Sequence, residues 1–173
     1  EKVIALPNCV DLDAFCAQAH TADRVRLRTA WGVAQDDVLF LYTGRLIPEK
    51  GVLELLEAFA SLEDAHARLC VVGASFFEGS GESAYIASLR RIAAKKRDKI
   101  VFTGYIPYAQ MPACYAAADV AVVPSVWEEP AGLTAVEALA SSLPLITTGA
   151  GGLAEAAKPD CALLAARGDG LSA

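Results

Sequence analysis

The sequence predicts an α/β fold built on a doubly wound parallel sheet with helices on both faces. Its short apolar segments carry no polar alternation, and they are separated by stretches whose apolar residues recur at helical spacing. Strands that are apolar throughout are typical of a sheet that is buried on both faces. A regular succession of strand and helix favours parallel pairing, because each helix can cross the sheet between two neighbouring strands.

The first half of the chain is predicted to contain three strands. Residues 3–6 form a short extended piece that ends at Pro7, and Asp23 is expected to cap a helix that runs to about Trp31. The strands are expected at residues 38–42, 69–72 and 100–102, with helices at residues 52–61 and 82–97 and a loop at residues 73–81. Each of these helices has an apolar face, formed by Leu55, Leu56 and Phe59 in the first and by Ile86, Leu89 and Ile92 in the second.

The second half continues the same alternation. The predicted elements are a helix at residues 110–117, a strand at 120–123, a helix that begins near Leu133, a strand at 145–147, a short helix at 152–157 and a last strand at 161–164.

Composition limits the kinds of protein that this chain can be. It has 173 residues, 54% of them hydrophobic, and a mean hydropathy of +0.36, which is enough for one domain with a sizeable core. The formal net charge of −6 argues against a nucleic-acid surface. No apolar run approaches the roughly 18 residues of a membrane span, and no signal peptide is recognisable.

The cysteines indicate a reducing compartment. The five are odd in number and include no CxxC pair, and Cys70 lies in an apolar segment where a buried, reduced thiol is expected. We therefore expect a cytoplasmic protein, and a position of the full-length protein at the inner face of the membrane is compatible with this. His20 and His66 are far apart in the sequence, so no metal site is expected.

Small or turn-forming residues end four of the predicted strands. Three of the ends carry a glycine, at Gly44, Gly73 and Gly104, and the fourth carries Pro124 and Ser125. The carboxyl ends of parallel strands meet at one edge of the sheet, which is where open α/β sheets bind their ligands. These four ends therefore predict space for a ligand at that edge.

Two cationic residues follow the first of these strand ends. Arg45 and Lys50 flank the tip of the loop that leads into the helix at residues 52–61. From the ligand edge they could reach a diphosphate, which guanidinium and ammonium groups bind through charge-assisted hydrogen bonds. The alternative interpretation is that both are solvated surface charges.

The largest group of candidate residues lies around the start of the helix near Leu133. Glu129 precedes this helix, and Glu137 lies inside it eight positions later. Gly132 permits close approach of a ligand to the backbone, and the N–H groups of Leu133 and Thr134 would point out of the helix N-terminus, where phosphates bind. Glutamates beside a phosphate site are better suited to accept hydrogen bonds from the hydroxyls of a ribose or a sugar.

A helical wheel offers a different interpretation of the same helix. Thr134, Glu137 and Ser141 fall on one narrow polar stripe. Such a stripe usually faces solvent, so the spacing by itself does not distinguish a binding surface from a solvated one.

Together, the motifs resemble those of family 4 (group 1) retaining glycosyltransferases. In chain order they are Gly44-Arg45-Leu46, Glu49-Lys50-Gly51, the E-x7-E pair of Glu129 and Glu137, and Gly151-Gly152-Leu153-Ala154-Glu155. The resemblance extends from Pro7-Asn8 to Gly168-Asp169. It implies a Rossmann-like domain that is the C-terminal, donor-binding lobe of a GT-B fold. Residues 1–20 would then hold the inter-lobe linker and the start of the lobe, residues 21–173 the nucleotide-sugar-binding domain, and the N-terminal acceptor lobe would be missing from this sequence.

Carried over residue by residue, the resemblance implies a catalytic set of Arg45, Lys50 and Glu129. The two cations would neutralise the diphosphate of a UDP-, GDP- or ADP-sugar, and Glu129 would contact hydroxyls of the donor sugar. Glu128 is the rival acid, but only Glu129 has the E-x7-E spacing to Glu137. No metal cofactor is implied.

The resemblance also implies the residues that bind the nucleotide. Glu137 would accept the ribose hydroxyls, and the backbone at Gly132, Leu133 and Thr134 would hold the phosphate. The remaining residues of the expected donor site are Gly44 and Gly73, with Gly104, Tyr105 and Ile106 near the base. The implied acceptor is a glycan or a lipid-linked molecule, bound through the N-terminal lobe.

The chain departs from the usual family pattern in four places. Cys9 stands where a glycine is usual, Ala131 where a bulky aromatic residue often precedes the glycine, and Ser142 where a glycine follows the E-x7-E helix. These three leave donor binding in place. The fourth is the loose match of residues 158–173, which puts the completeness of the lobe in question.

Two other functions are compatible with parts of the pattern. One is the nucleotide lobe of another GT-B enzyme such as a sugar-nucleotide epimerase, which has no use for Arg45 and Lys50 together with the E-x7-E pair. The other is a non-catalytic nucleotide-sugar-binding module, against which the intact Arg45, Lys50, Glu129 and Glu137 argue. For the donor lobe, we expect the isolated chain to bind a nucleotide and to transfer no sugar.

Overall fold

A computed structural model describes residues 3–4, 8–75 and 83–166 of the chain. The strands are β1 (Val38–Thr43), β2 (Ala67–Val72), β3 (Ile100–Gly104), β4 (Val120–Val123), β5 (Leu145–Thr147) and β6 (Ala162–Leu164). They form one six-stranded sheet in the order β3-β2-β1-β4-β5-β6, and every neighbouring pair is parallel. The parallel α/β sheet that the sequence predicts is confirmed.

One helix precedes β1, and the other helices connect successive strands. They are α1 (Thr21–Ala30), α2 (Val52–Ser61), α3 (Ala84–Ala93), α4 (Met111–Ala117), α5 (Leu133–Ala140) and α6 (Leu153–Ala156), with short 3-10 turns at Ala17–His20, Pro48–Lys50, Ala94–Lys96 and Tyr108–Gln110. Within the described ranges, no helix combines the length and the apolar character needed to cross a bilayer.

The central strand β1 shows why both faces of the sheet are apolar. Leu39 and Leu41 belong to a core cluster that also contains Tyr115 of α4. Tyr42 belongs to a second cluster, together with Leu56 of α2 and residues of α3. Because successive side chains of a strand point to opposite faces, the two clusters lie on opposite sides of the sheet. This is the doubly wound arrangement that the unbroken apolar strands predict.

The order of the strands places two loops side by side. The chain proceeds outward from β1 through β2 to β3, and then returns to the centre, where β4 pairs with the other side of β1. An open parallel sheet forms its ligand crevice at such a reversal, at the carboxyl ends of the strands. The loops that follow β1 and β4 are therefore neighbours, and they carry the predicted cations Arg45 and Lys50 and the predicted carboxylate Glu129.

The predicted ends of some elements need correction. Asp23 is not the cap of α1, because His20 occupies the N-cap position and Asp23 lies in the first turn, where it pairs with Arg26 at 2.8 Å. The helix expected at residues 82–97 is an α-helix only to Ala93, and its basic end continues as a 3-10 turn. It begins at Ala84, and the N-cap residue Ser83 accepts a hydrogen bond from Ile86 N through its side chain and so caps the first turn.

Some expectations concern residues outside the described ranges. They include the end of the first extended piece at Pro7, the loop residues 76–81, the helix start at residue 82 and the chain beyond residue 166. Of the proposed linker region, residues 8–20 are described, and Phe15 within them is buried in the first core cluster. This part of the region therefore packs against the lobe.

A network of ion pairs and hydrogen bonds lies at the amino ends of β1 and β4, opposite to the ligand crevice. Asp119, immediately before β4, accepts hydrogen bonds from Arg24 at 2.5 Å, Arg28 at 2.8 Å and the backbone N–H of Leu39 at 2.8 Å. Burial raises the pKa of Asp119, but these hydrogen bonds outweigh it, so that the pKa lies below its usual value. The network joins α1 to the starts of β1 and β4.

Candidate functional site

A cleft of about 630 Å³ lies at the carboxyl ends of β1, β2 and β3. Its walls contain five of the residues predicted for the donor site, namely Gly44, Arg45, Gly73, Tyr105 and Ile106. The other lining residues are Thr43, Val72, Ala74, Ser75 and Met111. The cleft is within the range of volumes that small-molecule sites occupy.

The three glycines that end β1, β2 and β3 form the floor of this edge. Gly44 N donates to Val72 O at 3.0 Å, and Gly73 N donates to Gly104 O at 3.0 Å. The backbones at Gly44 and Gly73 come so close that a Cβ on Gly73 would lie 1.8 Å from Gly44 O. A side chain is therefore excluded at Gly73, and a ligand there would meet main-chain atoms.

Lys50 and Glu129, both predicted site residues, are joined directly. Lys50 Nζ donates to Glu129 Oε1 at 2.5 Å, and Ser125 Oγ donates to the same oxygen at 2.5 Å. The Glu129 side chain is 8% exposed, whereas its neighbour Glu128 is exposed. Of the two candidate acids, Glu129 is thus the one that the fold turns toward the cation.

The loops that carry this ion pair are in close backbone contact. Val126 N donates to Glu49 O at 3.1 Å. Gly51 has a φ of +67°, and a Cβ on it would lie 1.9 Å from Pro124 O. Glycine is required there both by the left-handed backbone and by the neighbouring carbonyl. This contact sets the position of Lys50 relative to the end of β4.

A second glycine contact supports Glu129 from the other side. Gly151 forms a parallel bridge with Glu129, and Gly152 N donates to Glu129 O at 2.6 Å. A Cβ on Gly151, whose φ is +58°, would lie 2.5 Å from Glu129 O. The Gly151-Gly152 motif therefore packs against the backbone of the loop that carries Glu128 and Glu129, here called the acidic loop. The sequence of the motif does not reveal this role.

Helix α5 begins beside this loop, as predicted. Gly132 is its N-cap residue, and the first hydrogen bond of the helix runs from Ala135 N to Gly132 O at 2.9 Å. The N–H groups of Leu133 and Thr134 precede that bond, so they lie in the part of a helix that favours an anion.

Two of the three residues on the polar stripe of α5 are buried, and the third, Thr134, is partly exposed. Glu137 is 4% exposed and Ser141 is 2% exposed, whereas Leu133, on the apolar side of the wheel, is 38% exposed. The interpretation of the stripe as an ordinary solvated face is therefore wrong. Helix α5 contacts β4 and α4, and Glu137 accepts a hydrogen bond from Tyr115 of α4, so this side of the helix faces the interior at Glu137.

The buried carboxylate of Glu137 has a hydroxyl partner that the sequence analysis missed. Tyr115 of α4 donates its hydroxyl proton to Glu137 Oε2 at 2.8 Å. The same hydroxyl lies 2.7 Å from Thr43 Oγ1, and Thr43 lines the cleft. The three side chains therefore connect Glu137 to the wall of the cleft through hydrogen bonds.

The two predicted glutamates differ in their electrostatic surroundings. Burial raises the pKa of Glu129, but hydrogen bonds from Lys50 and Ser125 outweigh it and hold the pKa below its usual value. Burial also raises the pKa of Glu137, and hydrogen bonds from Tyr115 and Tyr108 offset this only in part, so that its pKa lies above its usual value. Glu129 is thus firmly ionised near neutral pH, whereas Glu137 is the more easily protonated of the two.

The structure brings the predicted residues to one edge of the sheet, in two groups. The first group lines the cleft and the second surrounds the end of β4 and the start of α5, with Gly104 adjacent to the first through its bond to Gly73. Sequence reasoning missed Thr43 and Tyr115, and it placed Ser125 at the ligand edge without giving it a role. The pattern contains no signal that a tyrosine of α4 reaches Glu137.

Metal ligation gives no competing explanation within the described part of the chain. Among residues 3–4, 8–75 and 83–166, no three side chains of His, Cys, Asp or Glu lie close enough together to hold a metal ion. That a ligand binds without a metal stays a prediction.

A parallel α/β sheet with cations, carboxylates and a helix N-terminus at its carboxyl edge is typical of domains that bind nucleotides. The family Glycosyl transferases group 1 matches residues 23–168, and the chain therefore belongs to that family. The Rossmann-like sheet matches glycosyltransferases of the GT-B fold, which confirms the predicted fold class.

Two relatives illustrate the range of named activities in this family. The chain is 35% identical to the lipopolysaccharide 1,2-N-acetylglucosaminetransferase of Salmonella typhimurium over 160 residues, 90% of this chain and 42% of that protein. It is 35% identical to the 2-deoxystreptamine glucosyltransferase of Streptomyces kanamyceticus over 174 residues, 97% of this chain and 42% of that protein. The chain thus spans about two fifths of the length of the curated relatives it matches.

A solved structure with bound ligands has the same architecture. The crystal structure of Anabaena Alr3699/HepE in complex with UDP and glucose superposes with a TM-score of 0.81 at 26% identity, and the match covers 92% of this chain and 42% of that one.

Proposed function

We propose that this chain is the C-terminal, donor-binding lobe of a family 4 retaining glycosyltransferase that transfers a hexosyl group from a nucleotide sugar to a glycan or glycolipid acceptor. The observation that carries the proposal is the Lys50–Glu129 ion pair at the start of α5, on the same sheet edge as Arg45 and Glu137. A nucleotide sugar offers the complementary groups, which are a diphosphate and two sets of hydroxyls. The UDP and glucose in the Anabaena structure support this choice of ligand.

The diphosphate would be held by positive charge from two loops. Arg45 lines the cleft after β1, and Lys50 lies at the other end of the same loop. The N–H groups of Leu133 and Thr134 add the positive end of the α5 dipole. Together these groups would stabilise the leaving diphosphate without a metal ion.

The hydroxyls would be bound by the two glutamates. Glu137 would accept hydrogen bonds from the ribose, and Glu129 would accept them from the donor sugar, for which an ionised carboxylate offers several lone pairs. Tyr105 and Ile106 in the wall of the cleft would contact the base, with Gly44, Gly73 and Gly104 leaving room for the nucleotide. The base is that of a UDP-, GDP- or ADP-sugar.

The retaining reaction would take place on one face of the donor sugar. The bond from the anomeric carbon to the diphosphate oxygen breaks, the bond to the acceptor oxygen forms on the same face, and the proton of the acceptor hydroxyl passes to the leaving phosphate. The family resemblance supports this mechanism. The role of the chain would be to hold the donor and to stabilise the charge that develops on the diphosphate.

The acceptor would be bound by a separate lobe. Residues 1–20 would be the linker and the start of this lobe, residues 21–173 the nucleotide-sugar-binding domain, and an N-terminal lobe would close over the cleft. The five cysteines are unpaired, which supports a cytoplasmic location for the enzyme.

The proposal is tested by binding and turnover together. Calorimetric titration of the 173-residue chain with UDP-, GDP- and ADP-sugars should show saturable binding of one nucleotide series. An assay of the same chain with its donor and acceptor, beside the full-length enzyme, should show transfer only by the latter, because both reactants must be held about 3–3.5 Å apart. Absence of binding to all three series would reject the proposal, and transfer by the chain at a comparable rate would show that the acceptor site lies within it.

A further inference from the structure

Tyr115 occupies a fixed position between the cleft and helix α5. Its side chain is 1% exposed, and its ring packs against Phe15 with the two ring centres 5.7 Å apart. The hydroxyl is the only polar group of this side chain, and the packed ring fixes where it lies. Its hydrogen-bond partners must therefore be groups next to that fixed position.

The hydrogen bonds around this hydroxyl have one consistent direction. A phenol carries a single proton, which Tyr115 donates to Glu137 Oε2 at 2.8 Å. Thr43, whose Oγ1 lies 2.7 Å from the Tyr115 oxygen, must then act as the donor in that pair. The Thr134 carbonyl is a more distant contact of the hydroxyl at 3.4 Å. The direction runs from the wall of the cleft to the carboxylate.

We propose that Tyr115 is a positioning residue that fixes the carboxylate of Glu137 for recognition of the ribose hydroxyls of the nucleotide. The inference rests on the proposed function, in which Glu137 binds the ribose. The new element is that the preference for a nucleotide with ribose hydroxyls over a dideoxynucleotide depends on Tyr115, which does not itself contact the ligand.

The physical basis is preorganisation of a flexible side chain. A glutamate has several rotatable bonds, and freezing them when a ligand binds costs affinity. In this structure the Tyr115 hydroxyl already fixes one carboxylate oxygen, and α5 fixes the backbone. An ionised carboxylate accepts about four hydrogen bonds, so capacity for the ligand remains.

The same contact makes ribose recognition dependent on pH. The titratable groups that interact with Glu137 are Tyr115 of α4 and Tyr108 of the 3-10 turn before it. Both donate hydrogen bonds that favour the ionised carboxylate. Removal of the Tyr115 hydroxyl should raise the pKa of Glu137 further, so that nucleotide affinity is lost at a higher pH as the solution is acidified.

The test compares Tyr115→Phe with Tyr85→Phe in calorimetric titrations with UDP and 2′,3′-dideoxy-UDP, and with the corresponding guanine and adenine pairs. Tyr85→Phe is the control, since it removes a tyrosine hydroxyl that donates to Ile47 O at 3.3 Å, in the loop between Arg45 and Lys50, so that any change in affinity should be equal for the ribonucleotide and the dideoxy compound. Tyr115→Phe should weaken the ribonucleotide about 3- to 10-fold, the worth of one hydrogen bond, and leave the dideoxy compound within about 2-fold. On acidification, the Tyr115→Phe variant should lose nucleotide affinity at a higher pH than the unaltered chain, and the Tyr85→Phe variant should not.

Thr43→Val and Thr43→Ser provide a second test that leaves the tyrosine in place. The valine variant should show a smaller loss that is again specific for the ribose, and the serine variant should restore the affinity. An equal loss for both ligands would assign Tyr115 a merely structural role, and unchanged affinity would remove any role; either result overturns the inference while nucleotide binding stands. If the unaltered chain binds none of the nucleotides, the proposed function fails and this inference fails with it.

Discussion

Lys50 and Glu129 are 79 positions apart in the sequence, and their side chains form an ion pair with an N–O distance of 2.5 Å. The cation comes from the loop after β1 and the carboxylate from the loop after β4, which are adjacent because these strands pair in the sheet. Two motifs that the sequence presents separately are therefore one unit in the structure. A ligand that binds there meets a cation whose position is already set by an acid.

We predict that Lys50→Ala and Arg45→Ala each weaken binding of a nucleoside diphosphate by about 1.5–3 kcal/mol, the usual worth of a hydrogen bond to a charged group. For Lys50→Ala, the carboxylate of Glu129 would also remain without its cation, which adds repulsion toward the diphosphate. Calorimetric titration with UDP, GDP and ADP measures both effects. The control is Lys95→Ala, which removes an exposed cation of the 3-10 turn after α3. Unchanged affinity in both site variants would mean that Arg45 and Lys50 do not bind the diphosphate and are solvated surface charges.

Binding of nucleoside diphosphates should not require magnesium. The two cations and the N-terminus of α5 would supply the positive charge that a metal supplies in other nucleotide sites. Titrations in the presence of magnesium and in the presence of a chelator should give the same dissociation constant within a factor of about 2. Tight binding that disappears with the chelator would show that the prediction is wrong.

Glu137→Gln should weaken nucleosides and nucleotides alike, by about 1.5–3 kcal/mol, because it replaces a charged acceptor of the ribose by a neutral one. Titration with a nucleoside, its diphosphate and the sugar-bearing donor separates this role from that of Glu129. The exposed Glu155 provides the control variant Glu155→Gln. A loss confined to the sugar-bearing donor would mean that the roles of Glu129 and Glu137 are exchanged.

Gly51→Ala should destabilise the fold by about 3 kcal/mol or more, because it combines a left-handed backbone with a collision at Pro124 O. Gly104→Ala is the matched control. Its φ is +74°, but a Cβ there meets nothing within 4 Å, so that only the backbone cost of about 1–2 kcal/mol is expected. Thermal unfolding of both variants measures the difference, and equal midpoints would contradict the close contact between the loops after β1 and β4.

Asp119→Asn should lower stability by about 1.5–3 kcal/mol at neutral pH, since Asp119 accepts hydrogen bonds from two arginines. Because its pKa in the folded protein is below the ordinary 3.8, the contribution is complete above that pH and is lost as the pH falls through the lowered value. Denaturant titrations at pH 7 and at progressively lower pH should therefore show the two proteins converging in strongly acidic solution. The exposed Asp98 offers the control Asp98→Asn, which should leave the stability at pH 7 within about 0.5 kcal/mol of that of the unaltered chain.

The fold could be predicted in most of its elements because burial leaves a direct trace in the sequence. Strands covered on both faces must be apolar at every position, and the predicted bounds of α2, β4 and β5 agree with the structure. The start of α1 was wrong because Asp23 resembles a cap in the sequence, whereas a 3-10 turn that ends at His20 begins the helix earlier. A cap is decided by the backbone that precedes it, which residue type alone does not specify.

The residues of the candidate site could be predicted from the sequence, but the contacts between them could not. Strand ends and a helix start put Arg45, Lys50, Glu129 and Glu137 on one edge, since parallel strands share the direction of their carboxyl ends. The wheel of α5 could not show whether its polar stripe is buried, because the same spacing serves a solvated face and a buried acid. Only the packing of α4 against α5 shows that Glu137 faces Tyr115.

By itself, the sequence determined the parallel α/β sheet, the edge at which a ligand is predicted to bind and the charged residues that lie there, because periodicity and strand ends are local properties of the chain. The tertiary structure alone decided which of these residues touch. It joins Lys50 to Glu129 and Tyr115 to Glu137, and it assigns Gly151 to the support of the acidic loop. The physical reason is that hydrogen bonds act over about 3 Å, and no local pattern encodes which side chains from distant segments come that close.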